Sequence, residues 1–214
     1  MTDKVAQGSD FTITQETKLI FLPGAGGDPA FWRGVGDRLP GDRDKVYLGW
    51  PGLGHETHDS AVRGLDDLVK LTEEAMGDGP VDLLAQSMGG IVALQVALRH
   101  PHQVRRLVLS TTSGGIDMSG MDASDWRVPY RAEYPHAAAW IYSVGANLSA
   151  ALPDLVQPTL LLWGDSDPIS PLAVGERLNG LVPRSELKVI AGGGHDLVAS
   201  RADEVAPVIE AFLA

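Results

Sequence analysis

The chain has 214 residues, 44% hydrophobic and 21% charged, with a formal net charge of −11 and no cysteine. That length buries a large core without covalent staples, so one domain spanning 1–214 is expected. The missing cysteines exclude a disulfide framework, a cysteine-held zinc and a cysteine nucleophile, and the acidic balance without any basic stripe opposes nucleic-acid binding.

Residues 1–15, MTDKVAQGSDFTITQ, hold no apolar core of a leader peptide, and no apolar run in the chain is long enough to span a membrane. A cytoplasmic protein is therefore expected. The first short apolar run, KLIFLP (18–23), reads as a strand, and the glycine-rich loop GAGGDPAFW (24–32) follows it. A second run, KVYLGW (45–50), precedes a helical pattern in which Val62, Leu65, Val69, Thr72 and Met76 share a face. VDLLAQ (81–86) then runs through Ser87 into a helix whose Ile91, Val92, Leu94, Val96, Ala97 and Leu98 leave almost no polar side. That helix should be central and covered by neighbours.

RRLVLST (105–111) is the fourth run. The stretch 112–151 that follows is too long for an ordinary connection and carries Trp126, Tyr130, Tyr134, Trp140 and Tyr142 among charged residues. It reads as a small inserted lid with one or two helices. TLLLWG (159–164) and LKVIAG (187–192) complete six runs, and Val205, Val208, Ile209 and Phe212 repeat at helical spacing behind Ser200, an N-cap candidate with Asp203 three residues on. Short runs apolar throughout fit parallel strands buried on both faces. Their alternation with helices predicts a doubly wound α/β sheet with its ligand at the carboxyl ends of the strands.

A strand entering a helix directly needs small residues around the turn, and Ala85 and Gly89 lie two positions either side of Ser87. This is the small-x-Ser-x-Gly pattern of a nucleophile held on a tight turn. The competing reading makes Ser87 an N-cap, but Gly90 stands where a capping box needs Glu or Gln. An activated serine needs a base, and the base needs an orienting acid. Asp165 and Asp167 follow the fifth run in GDSDPISP, and His195 follows the sixth in GGGHDLV, giving the order Ser, Asp, His. His55, His58, His100, His102 and His136 lack such placement. An oxyanion needs backbone donors; Met88 N–H supplies one, and the other should come from the 24–32 loop. That loop has no complete G-x-G-x-x-G and no Lys-Ser/Thr of a phosphate-binding loop.

Taken together, FLPGAGGDPAFW, LGWPGLGHET (48–57), AQSMGGIVALQVALRHP (85–101), RRLVLSTTSGG (105–115), PTLLLWGDSDPISP (158–171) and GGGHDLV (192–198) resemble the α/β-hydrolase superfamily, in its small lidded form, over nearly the whole chain. The resemblance implies Ser87 as nucleophile, His195 as base and then acid, Asp167 rather than Asp165 as the orienting acid, and Ala25 and Met88 as oxyanion donors. Two residues depart from the family pattern. Pro23 replaces the usual histidine of the oxyanion loop, and Gly49 replaces an aspartate ahead of Trp50.

The expectation is a serine hydrolase of a small ester, thioester or lactone, needing no cofactor and no metal, with a small-molecule substrate as its only implied partner. The sequence leaves the oligomeric state open. Gly26, Phe31, Trp32, Trp126 and Trp140 are candidates for a modest, largely apolar pocket, with Trp32 equally suited to the core. A second reading is a C–C lyase using the same triad for proton transfer, with Arg127 and Arg131 holding a carboxylate. A third is a non-catalytic ligand-binding receptor on the same fold.

Overall fold

The computed structural model describes residues 17–41 and 43–214; the expectation drawn from residues 1–15 lies outside them. Six strands form one sheet: β1 (Lys18–Leu22), β2 (Lys45–Tyr47), β3 (Val81–Gln86), β4 (Val104–Ser110), β5 (Thr159–Gly164) and β6 (Ser185–Ile190). Their order is β2-β1-β3-β4-β5-β6, and every neighbouring pair is parallel. β3 and β5 are buried at every position, which is why their runs are apolar without alternation.

Side-chain alternation divides the core in two. Ile20, Leu22, Leu83, Ala85, Leu107, Leu109, Leu161 and Trp163 face a layer holding α2 (Leu65–Met76), α3 (Met88–Arg99) and α5 (Leu172–Leu181). Leu19, Phe21, Leu84, Val108, Leu160 and Leu162 face α1 (Arg33–Gly36), α6 (Leu197–Ser200) and α7 (Ala202–Leu213). This is the doubly wound sheet expected from the runs. α3 is buried at nine of its positions, from Met88 through Ala97, as its missing polar side requires.

Two helix boundaries differ from expectation. Ser200 ends α6, where its hydroxyl donates to the Asp196 carbonyl, and Arg201 takes the N-cap of α7 with no side-chain cap bond. The two helices abut, so Ser200 has no free helix start to cap. Val62 is buried but precedes α2, held in a turn by its N–H to the Asp59 carbonyl.

Between β4 and β5 the chain forms α4 (Arg127–Glu133) and two short 3₁₀ turns at Ala139–Ser143 and Leu152–Asp154. Backbone bonds tie this segment to the carboxyl end of the sheet: Ala138 N–H to Gly52 C=O at 2.7 Å, and Ser124 N–H to Pro168 C=O at 2.7 Å. Tyr130, Ile141, Leu152 and Leu155 anchor it in the core on the α3 side. Among the described residues, no helix is long and apolar enough to cross a membrane.

Candidate active site

β3 runs into α3 with only Ser87 between, and Ser87 takes φ 52° and ψ −120°. A side chain in that region costs about 1–3 kcal/mol, so the surroundings must impose it. Ser87 N–H donates to the Ser110 carbonyl at 3.0 Å, and its own carbonyl accepts from Thr112 Oγ1 at 2.6 Å and Gly90 N–H at 3.0 Å. Gly89 lies so close to the end of β1 that a Cβ there would collide with the Pro23 and Leu22 carbonyl oxygens. Ser87 sits at the N-cap position, yet its side chain makes no cap bond. Its hydroxyl points elsewhere.

It meets His195 Nε2 at 3.0 Å, and His195 Nδ1 meets Asp167 Oδ2 at 2.8 Å. The structure thus brings Ser87, His195 and Asp167 into one hydrogen-bonded line from three separate strand ends. Asp167 is fully buried at its side chain, and its other oxygen, Oδ1, accepts from the N–H groups of Ile169 and Ser170 at 2.8 and 3.1 Å. Those two bonds fix the carboxylate so that Oδ2 faces the imidazole. Asp165 does different work: its Oδ1 accepts from Gly192 N–H at 2.6 Å, bracing the loop that carries His195.

The loop after β1 passes alongside Ser87. Its carbonyls are tied back: Leu22 C=O accepts from the Trp32 indole at 3.0 Å, Pro23 C=O from the Trp50 indole at 2.7 Å, and Ala25 C=O from the Tyr130 hydroxyl at 2.7 Å. Of the two departures from the family pattern, Gly49 lies against Pro29 and Gly27 with little room for a side chain, while the Trp50 bond to the Pro23 backbone carbonyl is open to any residue and does not explain the proline. Among the described residues, none accepts from the N–H of Ala25 or of Met88.

A cleft of about 970 Å³ opens over Ser87 and His195, lined by Gly26, Phe31, Met88, Trp126, Tyr130 and Tyr134 among others. That is near the upper end for a small-molecule site, larger than the modest pocket expected. Gly26, Phe31 and Trp126 line it, but Trp32 and Trp140 do not. Trp32 is core, packed on Phe21 with its indole turned to Leu22. The Trp140 indole nitrogen is buried and finds no partner among the described residues, for which the structure offers no account. Arg127 lines the cleft but pairs with Asp125 at 3.2 Å, while Arg131 stacks on Tyr142 and does not line it. Burial raises the Tyr130 phenol above its usual range, and burial together with Glu133 pushes Tyr134 up to about 12. Both phenols keep their protons throughout the neutral range.

Sequence reasoning missed several residues that shape this site. Gln86 Nε2 and Thr111 Oγ1 both donate to the His195 carbonyl, at 3.0 and 3.1 Å. Thr111 sits at φ 45°, a second strained residue beside Ser87. Tyr130 joins segments over a hundred residues apart. Position at a strand end was the only sequence signal for Gln86 and Thr111; Tyr130 offered none beyond its aromatic neighbours.

Residues 18–150 and 136–202 match the family model described as the alpha/beta hydrolase fold. The chain is 24% identical over 253 residues to the biotin biosynthesis bifunctional protein BioHC of Teredinibacter turnerae, which covers 91% of this chain. It spans only 44% of that relative's length. Similarity to the serine hydrolase BPHL of Mus musculus is 30% identity over 206 residues, 85% of this chain and 67% of that one. A thermophilic esterase from Thermogutta terrifontis superposes with a TM-score of 0.75 at 21% identity, covering 92% of this chain and 89% of the other. With the fold, the strand order and a family match over most of its length in agreement, the chain belongs to the alpha/beta hydrolase fold family.

Proposed function

We propose that the protein is a serine hydrolase of a small ester, thioester or lactone. The observation that carries this reading is the unbroken line Ser87 Oγ, His195 Nε2, His195 Nδ1, Asp167 Oδ2 at the floor of a cleft. In the resting state the serine hydroxyl donates to Nε2, while Nδ1–H donates to Asp167.

As Ser87 attacks the substrate carbonyl, His195 takes its proton and Asp167 stabilises the imidazolium in the tautomer that attack requires. The carbonyl oxygen becomes an oxyanion, which accepts from the N–H groups of Ala25 and Met88. Collapse sends the proton from His195 to the departing alcohol or thiol, leaving an acyl group on Ser87. Water then repeats the sequence with His195 as base, and the acid leaves. These steps draw on no group beyond the ones named.

The segment between β4 and β5 acts in this reading as a lid within a single domain, since it supplies Trp126, Tyr130 and Tyr134 to the cleft. The lyase reading has Arg127 and Arg131 holding a carboxylate. Arg131 stacks on Tyr142 outside the cleft and Arg127 is shared with Asp125, so the structure gives that reading less support than the Ser87–His195–Asp167 line gives the hydrolase reading.

Turnover of a p-nitrophenyl butyrate series tests the proposal. The protein should release p-nitrophenol with saturable kinetics, and Ser87→Ala should lower kcat by at least about 10³-fold with the fold intact by circular dichroism. Equal turnover by the folded Ser87→Ala variant would defeat it.

A further inference from the structure

We propose that Tyr130 is a positioning residue for the oxyanion hole, reaching from the covering segment to lock the turn that carries one of its donors. The inference rests on the hydrolase reading above, which counts Tyr130 among the cleft's lining and gives it no part in the chemistry.

Gly24 C=O accepts from Gly27 N–H at 3.1 Å, closing a β-turn with Ala25 and Gly26 at its centre. That bond fixes the peptide plane between Gly24 and Ala25, and therefore the direction of Ala25 N–H. The next plane, between Ala25 and Gly26, is the central amide of the turn. Two common turn types differ chiefly by a flip of that amide, and glycine at the third position favours the type needing positive φ there. Gly26 is not among the positive-φ glycines, so the turn stands in the other type.

Tyr130 accounts for this. Its hydroxyl donates to Ala25 C=O at 2.7 Å and accepts from Gly54 N–H at 3.1 Å, which directs the phenolic proton toward Ala25. Flipping the amide would strand the hydroxyl proton and reverse the Gly26 N–H. The phenol itself has little freedom. It is 8% exposed and lies between Trp126 and Tyr134, with ring centroids 5.4 and 4.9 Å away. The bond therefore transmits the position of α4 to the loop beside Ser87, and both Ala25 and Tyr130 line the same cleft. Misplacement of a catalytic group by about 1 Å costs on the order of a hundredfold in rate, so a turn that has lost its tie to α4, and carries Ala25 N–H with it as it shifts, should be felt in kcat rather than in substrate binding.

The test compares wild type, Tyr130→Phe and the neighbouring control Tyr142→Phe on p-nitrophenyl butyrate. A trifluoromethyl ketone, whose adduct carries an oxyanion, is measured beside the matching secondary alcohol, which carries none. For Tyr130→Phe we expect kcat to fall about tenfold to a hundredfold with KM within about twofold. Affinity for the ketone should weaken by the same factor as kcat/KM, while the alcohol binds as to wild type and Tyr142→Phe behaves as wild type throughout. A folded Tyr130→Phe with wild-type kcat and ketone affinity overturns the proposal, as does equal weakening of ketone and alcohol. If the phenylalanine variant does not fold, Tyr130→4-aminophenylalanine carries the test. It keeps a weaker donor toward Ala25, so kcat should drop severalfold at unchanged KM, and an unchanged kcat would be contrary. A wild type that turns over no ester and binds no ketone overturns the hydrolase reading, and the role of Tyr130 with it.

Discussion

Ser87 holds its hydroxyl on a backbone that side chains rarely adopt, and the strain is offset by bonds to its carbonyl from Thr112 and Gly90 and by the bond its N–H donates to the Ser110 carbonyl. In the proposed mechanism Asp167 matters for which nitrogen of His195 carries the proton. An amide there would keep one oxygen for the Ile169 and Ser170 N–H groups and turn its NH₂ toward Nδ1. That moves the imidazole proton to Nε2, where it cannot accept from Ser87. Asp167→Asn should therefore lower kcat by about 10³–10⁴-fold with stability nearly unchanged, read by steady-state kinetics beside thermal melting. Near-normal turnover in that variant would remove the acid from its role. Ser87, His195 and the pair Asp165 and Asp167 were legible because each follows a strand in the order Ser, Asp, His, and the choice of Asp167 came from the family resemblance. Tyr130, Gln86 and Thr111 were not, because their parts depend on contacts 105, 109 and 84 residues distant.

Beneath the cleft, the end of β5 and the loop after β6 meet with almost no space between them. Gly164, the last residue of β5, faces the loop of His195 so closely that a Cβ would collide with the Gly193 carbonyl. The same carbonyl accepts from Ser166 N–H at 3.0 Å, holding the loops of Asp167 and His195 together. Gly164→Ala must push these loops apart. We expect a loss of about 1–3 kcal/mol in denaturant unfolding, and a larger fractional loss in kcat than in KM. Unchanged stability and kcat would mean the two loops are not rigidly coupled. At this scale the runs predicted the strands well because parallel strands buried on both faces need no polar positions. The same patterning misassigned Ser200 as a cap, since nothing local reveals that α6 ends where α7 begins. Trp140 was a pocket candidate that does not line the cleft, and of the two places open to Trp32 the structure shows the core; the direction an indole faces is set by its tertiary neighbours.

Across the molecule, polar work is divided between the two ends of the sheet. The carboxyl end holds the candidate site. Toward the other end, Asp82 is buried on β3 near Arg43, Arg105 and Arg106, and burial raises its pKa more than the arginines lower it. The folded state therefore holds this proton more tightly than the unfolded chain does. Its contribution to stability is present below the unfolded value, about 3.9, and is lost as pH rises through the folded value. Asp82→Asn lacks that term, so the stability of the variant relative to wild type should rise from pH 4 to pH 7.5. Paired melts at both values check this, and a difference that shrinks with pH would reverse the sign of the shift.

The proposed chemistry depends on Ser87 being an activated nucleophile. Incubation of the folded protein with a fluorophosphonate, followed by intact-mass and peptide-mapping spectrometry, tests this most directly. We predict one adduct per chain on Ser87, absent from Ser87→Ala and strongly slowed in Asp167→Asn. Folded wild-type protein that takes no label, or takes it on another residue while Ser87 stays free, would contradict it.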